Sequence, residues 1–265
     1  LKERKILDSE VENSSAPIME HLVELRTRII RSLIAFLITM SISFYFADDV
    51  FNFLSLPIIS LLNSYGQNTE LIYTGLQQGF MVHIKISIFA GFLFAFPFIS
   101  FQLWRFVAPG MYKNEKKAFL PFLISSPLLF ILGAAFAFYV VMPLAFDFLL
   151  KFQQNQGDGM AELLKIKYLG SINEYLSLTM AFIIAFGLSF QLPVLLTLLG
   201  KVGLVTSAGL ASFRKYAAVA ILILAALVTP PDVITQIILF SAVYTLYEIS
   251  IFFVKRVEKE SSDEL

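Results

Sequence analysis

The chain has 265 residues, of which 57% are hydrophobic and only 15% charged, with 28 phenylalanines and a mean hydropathy of +0.76. So little charge cannot cover the surface of a soluble domain, and a net charge of zero gives no electrostatic case for nucleic acid. The absence of cysteine excludes disulfides and thiol chemistry, and with His21 and His83 the only histidines, no metal site and no cofactor is expected.

Residues 1–28 mix acids and bases and have no apolar core followed by a small-residue cleavage site, so they do not read as a secretory signal. A cytosolic N-terminal tail is expected over residues 1–17, turning helical near Pro17 or Ile18, ahead of a membrane core over 18–256 and a short C-terminal tail over 257–265. In "HLVELRTR", residues 21–28, Glu24 precedes Arg28 by four positions, the favourable order for an ion pair on a helix. That turn reads either as an anchor at the membrane surface or as a docking site.

A helix needs about 20 mostly apolar residues to cross a hydrocarbon core of about 30 Å. Stretches between charges predict six spans, at residues 29–47, 80–104, 118–150, 172–200, 216–229 and 233–254. Between the first two, residues 48–79 hold no lysine or arginine, and "VFNFLSLPIISLL" predicts a short helix on the outer rim, broken at Pro57. The loop "RFVAPGMYKNEKKAF", residues 105–119, sets Glu115 among Lys113, Lys116 and Lys117. Glu115 is then either a solvated acid favoured by a helix start or, with Glu24, half of a site for a cationic ligand. Two arginines would suit two carboxylates best, because a guanidinium fork pairs bidentately where an ammonium cannot.

The third span carries Pro121, Pro127 and Pro143, which predict kinks, and residues 151–171 read as a polar loop with about one helical turn. Gln191 lies mid-span in "GLSFQLPVLL". A polar side chain there faces protein or water, either satisfying carbonyls loosened by Pro193 or facing a ligand. The fifth stretch, "YAAVAILILAALVT", supplies about 21 Å of helix before the double proline, so the bilayer is expected to thin at the "TPPDV" tip. Asp232 there is placed to cap the last helix.

Lysine and arginine number sixteen on the side that holds both termini and three on the other, at Lys151, Lys165 and Lys167; Lys85 lies within a span. Both termini are therefore expected in the cytosol. No HExxH, Walker loop, GxGxxG or nucleophile elbow is present, and an enzyme is not expected. Transport or recognition remains, including a secondary transporter of a small ion or solute that would use Gln191, Lys85 and Glu248.

The motifs "HLVELRTR", "FQLWRFVAPGMYKNEKKAF", "FAFYVVMPLAFDFL", "FGLSFQLPVLL", "LASFRKY" and "TPPDVITQ", in that order over residues 16–256, resemble the TatC family, the core receptor of the twin-arginine protein translocase. The resemblance implies an all-α integral membrane protein of the bacterial inner membrane, with six spans in a concave, glove-like bundle and short fifth and sixth helices. It also implies binding of twin-arginine signal peptides of folded cargo at the cytosolic face, ahead of translocation driven by the proton gradient. Implied partners are single-span TatA/TatB-type subunits, the lipid bilayer and further copies of the chain in a homo-oligomeric receptor complex.

Carried over by motif, the signal-peptide site falls on Glu24, Glu115, Arg26 and Phe106, and the partner-subunit contact on Thr229 and Gln236. Pro57 and Asp232 match the family's outer-rim proline and the aspartate after its double proline. Two positions depart from the pattern. The mid-membrane acid of the fourth span is Gln191, and a tyrosine of the third is Phe138, with Tyr139 about 100° further around the helix.

Overall fold

The computed structural model describes residues 2–66, 70–107, 116–158, 170–229 and 233–263. Glu115 and Asp232 lie outside the described residues, as does the greater part of the loop expected over 151–171. The chain is almost wholly helical. In order, it forms α1 (Lys2–Tyr45), α2 (Ala47–Ser64), α3 (Gln78–Val107), α4 (Lys116–Phe136), a π-helical turn (Ala137–Val141), α5 (Met142–Asp158), α6 (Ile172–Ser189), α7 (Leu192–Lys201), α8 (Ser207–Ser212), α9 (Arg214–Val228) and α10 (Val233–Asp263). Two two-residue strands, β1 (Leu71–Ile72) and β2 (Gly170–Ser171), pair in parallel and tie the connection before α3 to the start of α6.

Among the described residues, five helical segments are long and apolar enough to cross a membrane: His21–Tyr45, Gln78–Phe106, Pro121–Lys151, Ile172–Lys201 and Val233–Lys259. Prolines shape two of them. Pro143 lacks an N–H, and its ring would press on the carbonyl four residues back. The helix widens just ahead of it, so that Met142 N–H reaches the carbonyl of Ala137, five residues back. Pro193 acts likewise on the next segment, which breaks at Phe190–Gln191 before restarting as α7.

Four expectations are corrected. Helix α2 passes through Pro57 without a break. In the turn before that proline, the Tyr175 hydroxyl donates to the Leu54 carbonyl at 2.5 Å and ties α2 to α6. Helix α1 extends back to Lys2, well before Pro17, through a stretch free of glycine whose Lys2, Glu3, Arg4, Lys5, Glu10 and Glu12 are good helix formers. Helix α5 continues two turns into the expected loop, to Asp158. Shortness is confined to α9, whose 15 residues span about 22 Å, whereas α10 runs for 31 residues because its helix continues beyond the last apolar position through Lys255–Lys259.

Helices cross closely where a glycine removes the side chain. A Cβ on Gly91 of α3 would lie 2.6 Å from the Met40 Cα of α1. At the same crossing the Thr39 hydroxyl donates to the Gly91 carbonyl at 2.8 Å. Between α4 and α6 the fit is reciprocal: a Cβ on Gly133 would meet the Phe186 carbonyl at 2.6 Å, and one on Gly187 would meet the Phe130 ring at 2.7 Å. Such small-residue contacts are how helices gain dispersion energy in lipid, where no hydrophobic effect drives them together.

Candidate functional site

The turn of α1 that precedes its apolar run faces the C-terminal end of α3. At about 100° per residue, His21, Glu24 and Arg28 share one face. The Arg28 guanidinium donates Nε to Glu24 Oε1 at 3.0 Å and Nη2 to the same oxygen. Its third nitrogen, Nη1, reaches Gln102 Oε1 on α3 at 3.3 Å. The second carboxylate oxygen, Glu24 Oε2, faces His21 Nδ1 at 4.0 Å, beyond hydrogen-bond reach. The His21 ring in turn stacks on Phe106, with centroids 4.2 Å apart and planes 16° from parallel.

Burial grades across this cluster. Gln102 is 6% exposed, the Arg28 side chain 13% and the Glu24 side chain 33%. The carboxylate is thus the more open of the pair, with a largely buried cation behind it. Beside the pair a groove of about 370 Å³ opens, lined by Arg28, Ser32 and Phe36 of α1 and by Ile99, Gln102 and Phe106 of α3. Arg28 and Gln102 among an otherwise almost wholly apolar lining suit a ligand that is charged at one end and greasy beyond.

The structure brings Glu24 and Phe106 together through His21. Arg26 is exposed, about 200° around α1 from Glu24. Sequence reasoning missed Gln102. A signal for it existed in "FQLWRF", where a lone amide interrupts an apolar run one helical turn before Phe106.

Gln191 sits apart from this cluster and spans to α4. Its Oε1 accepts from the Ser126 hydroxyl at 2.6 Å, and its Nε2 donates to the Ser126 carbonyl at 3.0 Å. The amide therefore serves a neighbouring helix rather than carbonyls loosened by Pro193. Gln191→Leu is expected to leave the buried Ser126 hydroxyl without this acceptor and to cost about 1–3 kcal/mol of stability. Thermal unfolding in detergent measures this, and an unchanged midpoint would show the pair to be idle.

Thr229 is 7% exposed, and its hydroxyl returns to the Ala225 carbonyl at 2.9 Å. Gln236 is half-buried on α10 and donates to the Leu222 carbonyl of α9 at 3.4 Å. At the other end of that hairpin, Arg214 pairs with Glu248 through two bonds of 2.8 Å. Pro57 is buried within α2. Past that helix the Tyr65 hydroxyl donates to Asp147 at 2.6 Å, and this bond to a carboxylate raises the tyrosine pKa above its ordinary value. Asp147 also holds Lys151 at 2.7 Å, His83 pairs with Asp48 at 2.8 Å, and Lys85 donates to Asn173 at 2.6 Å.

Comparison with known proteins gives a single family. Residues 20–241 match the family described as Sec-independent protein translocase protein (TatC). The chain is 42% identical over 249 residues to such a protein from Magnetococcus marinus, covering 94% of this chain and 88% of the relative. It is 44% identical over 247 residues to one from Aquifex aeolicus, covering 93% and 98%, and 37% identical over 237 residues to that of Escherichia coli strain K12, covering 89% and 87%. A crystal structure of a twin-arginine translocase receptor, TatC, superposes with a TM-score of 0.76 at 45% identity, over 90% of this chain and 99% of that one.

Proposed function

Because the chain belongs to the TatC family of Sec-independent protein translocase proteins, we propose that it is the membrane receptor that binds twin-arginine signal peptides of folded precursors at the cytosolic face. The observation that carries this reading is the Glu24 carboxylate paired with Arg28, whose side chain lines the apolar groove between α1 and α3. A signal peptide has the matching order of chemistry, an arginine pair followed by an apolar stretch. Its guanidinium groups dock at Glu24, and its apolar residues descend between Ser32, Phe36 and Ile99. Phe106 and its stacked His21 form the wall beside the arginines, while Glu115, between α3 and α4 in the sequence, supplies the second carboxylate. Arg26, on the exposed side of α1, meets the lipid or precursor surface.

In this reading the chain crosses the bacterial inner membrane six times. The five long segments are joined by α9, which stops short of the far surface and thins the bilayer there. The core covers residues 18–256, and both termini face the cytosol, on the strength of the sixteen-to-three distribution of basic residues. Single-span partner subunits assemble along α9 and α10 near Thr229 and Gln236, and the proton gradient drives passage of the cargo. Further copies of the chain complete the receptor complex. The transporter alternative lacks support, since Gln191, Lys85 and Glu248 each meet a local partner at a different place in the fold.

The test is capture of the protein from detergent-solubilised membranes on an immobilised arginine-pair signal peptide. Capture should fall at least tenfold on the lysine-pair control, since the lost fork is worth about one charge-assisted hydrogen bond. Equal capture by both peptides would overturn the reading.

A further inference from the structure

We propose that Arg28 is a resident competitor for the Glu24 carboxylate, and that its exchange onto Gln102 sets the site's preference for guanidinium over ammonium. This inference rests on the receptor reading above and specifies how the same site discriminates. Glu24 is not an empty acceptor: one of its oxygens already takes two N–H groups from Arg28. An incoming cation therefore does not gain the full attraction of the carboxylate. It gains only the difference between its own bonds and those it displaces.

The geometry provides a route for that exchange. Among the described residues the charged neighbour of Glu24 Oε2 is His21 Nδ1, at 4.0 Å, so a ligand donor can approach it while Arg28 still holds Oε1. Arg28 then needs another acceptor, because its guanidinium is largely buried and an unpaired buried cation is strongly disfavoured. Gln102 Oε1 stands at 3.3 Å from Nη1, a long contact with room to shorten. A ligand guanidinium replaces the displaced fork with an equivalent one. A lysine ammonium is a compact point charge without that planar fork, so against it Arg28 keeps the carboxylate.

The experiment uses the full chain in lipid nanodiscs and measures equilibrium binding of fluorescent signal peptides carrying an arginine pair or a lysine pair. Arg28→Lys weakens the resident competitor. It should tighten binding of both peptides and reduce the arginine-over-lysine preference about tenfold. Gln102→Glu gives Arg28 a stronger resting place. It should likewise free Glu24 and tighten both peptides, whereas Gln102→Leu should weaken arginine-pair binding about tenfold. A purely structural role for Gln102 would make both of its variants weaker.

An unchanged preference in Arg28→Lys, with the wild type binding the arginine pair normally, would overturn the competition and leave the receptor reading standing. Wild-type protein that binds neither peptide would overturn both. Should Arg28→Lys fail to accumulate in membranes, the opposite signs of the two Gln102 variants decide, and like signs overturn the proposal.

Discussion

Gly91→Ala is expected to lower the thermal midpoint of the detergent-solubilised protein and, in the same variant, to weaken arginine-pair binding. The added Cβ would sit 2.6 Å from Met40 Cα and 2.8 Å from Met40 N. Both atoms are backbone, so no side-chain rotation relieves the contact and α1 must move away from α3. Overpacking of this kind costs about 1–3 kcal/mol, and the Thr39 bond to the Gly91 carbonyl stretches with it. Against this, alanine in place of glycine within a helix gains up to about 1 kcal/mol from backbone entropy. The contact wins because the opposing atoms are fixed in a helix.

Gly79→Ala is the control. It lies in the same helix, but its nearest neighbour would be the Tyr73 ring at 3.9 Å, an ordinary contact. This variant should be neutral or slightly more stable. If the two substitutions shift the midpoint equally, the close crossing is not what holds α1 in place. The link to function follows from position. The same helix pair sets Arg28 against Gln102 and His21 against Phe106, so displacing α1 disturbs the groove that Arg28, Gln102 and Phe106 line.

How much of this was legible from the amino-acid order depends on whether a feature is local or distant along the chain. Five long helices follow from hydropathy, because an apolar run of that length has one stable solution in lipid. The π turn before Pro143 and the break before Pro193 are local consequences of a missing N–H, and the prolines point to them. Pro57 shows the limit of that rule. Whether a proline breaks a helix depends on the packing around it: α2 runs through Pro57, and the turn before it is held by Tyr175, 121 positions away from Leu54. The Glu24–Arg28 pair was visible because four residues separate its members. Gln102, 74 positions from Arg28, and Ser126, 65 positions from Gln191, could not be matched by spacing. Only the packing of α1 on α3 and of α4 near the α6–α7 break makes them partners.

Glu24→Gln is expected to reduce crosslinking of an arginine-pair signal peptide to the full chain in membranes by about 10- to 150-fold. The range spans the full worth of a charge-assisted hydrogen bond, about 1.5–3 kcal/mol, and the need to displace Arg28 from Glu24 moves the result toward its lower end. The substitution keeps the shape and one carbonyl oxygen, so Arg28 retains an acceptor at position 24 and a second in Gln102. The α1–α3 contact should therefore survive with only a small change in thermal midpoint. What disappears is the formal charge of the carboxylate, and with it the ability to attract a second guanidinium beside one already present. Glu24→Asp keeps the charge but shortens the reach by one methylene, and it should fall between wild type and Glu24→Gln. Undiminished crosslinking in Glu24→Gln would remove this carboxylate from recognition. An effect of Glu24→Gln matched by an equal fall in thermal midpoint would instead assign Glu24 to holding Arg28, because a residue that only braces the helices loses binding and stability together.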